Sequence, residues 1–100
     1  MLVVIATVQA QADKADELAR LVALLAIAYR QDAGCQSYSF YRDVEDPTLL
    51  CAVETWDSRA DLDAHLAAPH TADLLSKLPA LVASAPIIQA HEIASTDQLA

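Results

Sequence analysis

The sequence predicts a single α+β domain of the ferredoxin-like class, a βαββαβ chain with a four-stranded antiparallel sheet. Three observations lead there. Apolar runs of strand length sit at both ends and in the middle of the chain. Two intervening stretches switch to the spacing of a helix. Turn-forming residues, Gly34, Pro47 and Pro86, fall at junctions between these segments. A chain of 100 residues suits one domain, placed here at residues 1–94 with a flexible C-terminal tail at 95–100.

The first strand is LVVIATVQ (residues 2–9), a β-branched run without a breaker and apolar on both faces through its first half, which implies cover on both sides of the sheet. Asp13 is expected to open a helix, with Asp16 and Glu17 in the first turn where the helix dipole favours negative charge. Leu18, Leu21, Val22, Leu25, Ala28 and Tyr29 recur at helical spacing, and Leu24 and Ile27 widen the stripe toward a second packing surface. Gly34, the only glycine, suits a left-handed cap after this helix. CQSYSFYRD (35–43) and LLCAVETW (49–56) alternate as the two arms of an antiparallel hairpin that turns near Asp46-Pro47. On the second arm, Leu50, Ala52, Glu54 and Trp56 share one face. Ser58 and Asp61 form a capping-box pattern for a short helix over 59–67. A second helical stretch, 70–84, is broken or kinked near Leu78 by Pro79. IIQAHEIA (87–94) is the last strand.

Composition narrows the function. The chain is 55% hydrophobic with a mean hydropathy of +0.27, rich for so small a chain, which buries only roughly two-thirds of its unfolded surface. Burial against a second copy resolves the excess, so a homodimer is expected. A formal charge of −8 with scattered basic residues argues against nucleic acid and anionic membranes as partners. Gln9, Gln11, Asp13 and Arg20 interrupt any membrane span, and the N-terminus lacks the pattern of a signal peptide, so a cytoplasmic location is expected. On the hairpin arms Cys35 and Cys51 lie on the order of 20 Å apart at strand rise, too far for a disulfide, and read as small buried hydrophobes. No glycine-rich phosphate loop and no zinc spacing of cysteine and histidine is present, and nothing points to flavin, nicotinamide or metal, so no cofactor is expected.

The reactive side chains gather between Glu54 and His70. His65 stands on the edge of the helix stripe that faces the sheet, where an imidazole can abstract a phenolic proton or polarise a carbonyl, or serve packing alone. Glu54 is a carboxylate on an apolar strand face, costly unless paired; it either orients His65, binds a substrate hydroxyl or ends the strand in a salt bridge. Trp56 offers a flat wall for an aromatic ligand or fills the core. Tyr38, on the neighbouring strand, can donate its phenol to a substrate oxygen or be a core tyrosine. His70, near a helix N-terminus where a cation is unfavourable, is weighted toward structure and kept as a ligand contact.

The segments AGCQSYSFYRDVEDPTLLCAVETW and DLDAHLAAPHTADLL resemble the antibiotic biosynthesis monooxygenase (ABM) family of small dimeric α+β barrels. The resemblance covers nearly the whole chain and is specific at Gly34-Cys35, Tyr38, Tyr41-Arg42-Asp43, Glu54, Trp56, His65 and Pro69-His70. It implies the same fold, homodimerisation and a pocket between each sheet and its helices. Members include cofactor-independent monooxygenases of quinols and related aromatics, haem-degrading enzymes and isomerases of small phosphorylated signal compounds. Haem-degrading members use an Asn, a Trp and a His at places that here hold first-strand residues such as Thr7 and Gln9, then His65 and Leu75, so the resemblance points away from haem. It adds weight to His65, and the residues' own chemistry puts His65 and Glu54 forward as catalytic groups, with Tyr38, Trp56 and His70 toward a quinol-like substrate. The alternatives are an isomerase working in the same pocket and a non-catalytic dimeric ligand-binding or stress-response module.

Overall fold

The computed structural model describes all 100 residues. Its elements are β1 (Leu2–Gln9), α1 (Ala15–Tyr29), β2 (Cys35–Arg42), β3 (Leu49–Trp56), α2 (Arg59–Leu66), α3 (Pro69–Lys77) and β4 (Ile87–Glu92), with a single 3₁₀ turn at Leu78–Ala80 after α3. The sheet order is β2-β3-β1-β4 and every pair is antiparallel. This is the ferredoxin-like arrangement expected from the order of strand and helix patterns. No helix is long and apolar enough to cross a membrane.

Register explains how the site is assembled. Val4 pairs with Glu54, and Glu54 with Tyr38, so these three side chains form one row on the face that meets the helices. One row along lie Leu2 and Trp56, both buried. Leu18, Val22 and Tyr29 of α1 pack over this face at helical spacing, joined by Leu62 of α2 and Leu74 of α3. The opposite face carries Val3, Ile5, Thr7, Cys51 and Val53 and has no cover within the chain. Tyr41 (59% exposed) and Ile87 (61%) stand on that same face, one at each side of the sheet. β4 is exposed along its whole length.

Several boundaries differ from the pattern-based expectation, each for a local reason. Helix α1 begins at Ala15 rather than Asp13: a turn fills residues 12–14, and Lys14 stands at the N-cap without a side-chain hydrogen bond. The helical stretch expected over 70–84 instead starts at Pro69, a residue suited to a first helical position, and ends at Lys77. Pro79 has no amide proton to continue the ladder, so the chain tightens into the 3₁₀ turn and leaves the helix. Val82 then forms an isolated bridge with Ala10 beyond the end of β1. Strands β2 and β4 end at Arg42 and Glu92, one and two residues early. Cys35 and Cys51 are free, as spacing required, but half-buried rather than buried. Cys35 lies at a strand end, and Cys51 lies within the inner strand β3 on the face that no helix covers.

Gly34 has φ +79°, the left-handed conformation in which a side chain is strained. It stands four residues past the C-cap of α1, inside the turn into β2. A Cβ there would lie 2.6 Å from the Cβ of Asp61 and closer still to its carboxyl group. The Asp61 Cβ is anchored to the first turn of α2, so relief requires moving that helix. Gly34→Ala is expected to destabilise the fold by about 2 kcal/mol or more, from left-handed strain plus the clash, measured by urea unfolding.

Candidate functional site

Ser58 begins the site by capping α2: its hydroxyl accepts from the Asp61 amide at 3.2 Å and donates to the Asp61 carboxylate at 2.9 Å. The helix runs only to Leu66, bends at Ala67-Ala68, and restarts at Pro69. That break puts His65, in the last turn of α2, and His70, in the first turn of α3, within reach of one partner. The partner is Asp32, from the turn between α1 and β2. Its Oδ2 lies 2.7 Å from His65 Nδ1 and 2.8 Å from His70 Nε2. An ionised carboxylate only accepts, so both ring nitrogens donate to it. Thr71 Oγ1 is a distant second neighbour of His65 Nδ1 at 3.5 Å.

Aromatic rings fix the orientation of His65. Tyr29 meets it edge-on with centroids 4.9 Å apart, and Trp56 lies against it at 4.7 Å. Tyr38 closes a third side at 5.6 Å. Only 2% of the His65 side chain is exposed. Its Nε2 has no partner in the protein, yet no buried side-chain nitrogen or oxygen is left unpartnered and sealed, so this atom keeps accessible surface. His65 lines a cavity of about 60 Å³ between the sheet and the helices, so Nε2 is the nitrogen available there.

Fifteen of the 19 residues around that cavity are hydrophobic, and none is Lys or Arg. Its polar equipment is His65, Glu54, Tyr38, Tyr29 and Thr71. Exposed Leu66, Leu75 and Ile88 mark its mouth. The enclosed space matches only a few water molecules at roughly 15 Å³ each, so anything larger fits only in part and extends through that mouth.

Glu54 does not orient His65, the role first considered for it; Asp32 does. Instead Glu54 Oε1 accepts from the indole Nε1 of Trp56 at 2.9 Å, a bond set up by two residues on one strand face. Burial pushes the Glu54 carboxyl up from 4.5, opposed by the hydrogen bond from Trp56, the neighbouring Tyr38 phenol and the charge of His65. Charge-assisted hydrogen bonds contribute about 1.5–3 kcal/mol each, yet desolvation in this apolar setting outweighs them. Burial and the neighbouring carboxyl push the Tyr38 phenol up, so it remains a donor at any physiological pH. Tyr29 is pushed up to about 12, first by burial and then by the charge of Asp32; its hydroxyl donates to the His70 carbonyl at 3.4 Å.

Three of the five residues singled out from sequence, His65, Glu54 and Tyr38, line one cavity. Trp56 is fully buried behind them and holds Glu54 and His65 rather than walling the space. His70 lies outside the lining, on the far side of Asp32. Sequence reasoning missed Asp32, whose one signal was an acidic residue two positions before the sole glycine. Asp32, His65 and His70 are also the group best able to hold a metal, with ligand atoms within 4.8 Å of one another. Both nitrogens contact the same oxygen at hydrogen-bond length, so metal bonds of about 2.0–2.2 Å would require the carboxylate to step back.

Comparison with known proteins places this arrangement. The family model for antibiotic biosynthesis monooxygenase matches residues 1–76, which carry all the polar residues of the site, from Tyr29 to Thr71. The chain belongs to the ABM family. An uncharacterized protein of Synechocystis is 33% identical over 98 residues, 98% of this chain and 67% of that one. A crystal structure assigned to the same family, from Deinococcus radiodurans, is 28% identical, with a TM-score of 0.95 over 100% of this chain and 99% of that one. A Pseudomonas aeruginosa crystal structure, 28% identical over 94% of each chain, has a TM-score of 0.86.

The raised Glu54 carboxyl gives this ABM domain a defined pH response. A group that holds its proton more tightly folded than unfolded favours folding at low pH, and stability falls as pH rises from 4.5 through the folded value. Gln cannot ionise. The melting temperature of Glu54→Gln minus that of wild type is therefore expected to grow between about pH 4 and pH 7, followed by scanning calorimetry.

Proposed function

We propose that the protein is a cofactor-independent monooxygenase acting on a quinol or related aromatic hydroxy compound, with one pocket in each subunit of a homodimer. The observation that carries this is an imidazole nitrogen, His65 Nε2, left open in an apolar cavity while Asp32 holds the other ring nitrogen. Such a nitrogen takes the proton of a bound aromatic hydroxyl, breaking O–H and forming N–H. The resulting anion, in water-poor surroundings, gives an electron to dioxygen; recombination and loss of water put one oxygen atom into the product and the other into water. Tyr38 and Glu54 are the groups that fix the substrate's oxygens. Trp56 supports the reading indirectly, by holding Glu54 and His65 in place.

The cavity chemistry also separates this reading from an isomerase of a phosphorylated metabolite. Recognition of phosphate favours Arg, Lys or a helix N-terminus with open amides. The lining offers no Lys or Arg, and Glu54 adds acidity instead. The homodimer is supported by the apolar sheet face that no helix covers.

Oxygen consumption with reduced naphthoquinones and anthrones tests the chemistry. Wild type is expected to turn over, and His65→Ala to lose about 100-fold or more in kcat; unchanged uptake in the variant would remove His65 from the reaction. Light scattering at micromolar concentration is expected to give twice the monomer mass, and a monomer would contradict the pairing of sheets.

A further inference from the structure

We propose that His70 is a positioning residue which acts through Asp32 to keep His65 in one tautomer, with the proton on Nδ1 and the Nε2 lone pair facing the cavity. This rests on the reading of His65 as the base and decides between two roles open to it, base or hydrogen-bond donor.

Two side chains compete for His65 Nδ1. Asp32 Oδ2, at 2.7 Å, is an acceptor and selects the Nδ1–H tautomer. Thr71 Oγ1, at 3.5 Å and buried, is a hydroxyl able to donate. If Thr71 becomes the partner, Nδ1 accepts and the proton moves to Nε2, which then offers the cavity a donor and no base. Which tautomer forms depends on whether Asp32 stays in place.

Asp32 has little of its own to hold it there. It lies in a turn outside helix and sheet, its side chain is 21% exposed, and no Lys or Arg pairs with it. A carboxylate so placed gains by rotating into water unless a second donor fixes it. His70 Nε2 is that donor, at 2.8 Å on the same oxygen. The ring of His70 is in turn fixed by Tyr29, with centroids 5.0 Å apart, and by its place in the first turn of α3. The helix break at Ala67-Ala68 has a chemical result: it turns two histidines five residues apart onto a single oxygen.

Ring-nitrogen NMR on ¹⁵N-histidine-labelled protein, with the imidazoles neutral, reads the tautomer directly and independently of turnover. In wild type His65 is expected to show a protonated Nδ1 and an unprotonated Nε2. His70→Phe keeps a ring against Tyr29 but removes the N–H, and is expected to move His65 toward the Nε2–H tautomer. It is also expected to lower kcat about tenfold, the worth of one charge-assisted hydrogen bond, with KM within about twofold. His70→Gln, which restores an N–H donor, is expected to recover the wild-type tautomer and most of kcat. Asp32→Asn is expected to shift His65 as His70→Phe does. An Nε2–H tautomer in wild type, or an unchanged tautomer in His70→Phe, would overturn the proposal. So would one equivalent of divalent metal held by Asp32, His65 and His70, since Nδ1 would then be ligated. The expected tautomer pattern in a protein that turns over no quinol or anthrone would support the positioning role and overturn the monooxygenase reading alone.

Discussion

One carboxylate oxygen, Asp32 Oδ2, ties together three segments that the backbone leaves separate: the turn before β2, the end of α2 and the start of α3. Each needs the others. The turn takes its shape from Gly34 at positive φ, where a Cβ would strike Asp61 and displace α2. Helix α2 takes its start from Ser58 and its early end from the bend before Pro69. The carboxylate closes this loop of dependencies, and the aromatic rings of Tyr29, Tyr38 and Trp56 pack around the result. A single hydrogen-bonded acceptor contributes only about 1–3 kcal/mol, so packing carries the stability while Asp32 sets the orientation.

What could be read from sequence was what neighbours in the chain decide. The β-branched run of β1, the alternation of β2 and β3, the cap at Ser58 and the breaking effect of Pro79 are all encoded within a few residues. The hairpin followed from the turn at Asp46-Pro47, but the residue-by-residue register that sets Tyr38 opposite Glu54 did not, because a turn placed only approximately leaves the pairing free to slip by a residue. The start of α1 was less legible, because polar residues near a helix end serve a cap and a turn equally well. The end of α3 was less legible because a proline inside a helical pattern either kinks or stops the helix.

The site was half legible for the same reason. His65 and Glu54 were conspicuous as titratable groups among leucines and alanines. Asp32 was one of 14 acidic residues, 33 positions before His65, and no local pattern distinguishes a carboxylate that will accept from two imidazoles from one that is solvated. The roles open to Glu54 in sequence did not include the one bond it makes within the chain, to Trp56, two residues along the same strand face.

The bond between Trp56 and Glu54 has an optical consequence. The indole is the only one in the chain, is wholly buried, donates to one ionisable group and lies 4.7 Å from another. Its emission therefore arises from a single site, hydrogen-bonded to Glu54 and in contact with the His65 ring. The domain carries a built-in fluorophore behind the wall of its own cavity, and proton movement or ligand entry a few ångströms away is reported without any added label.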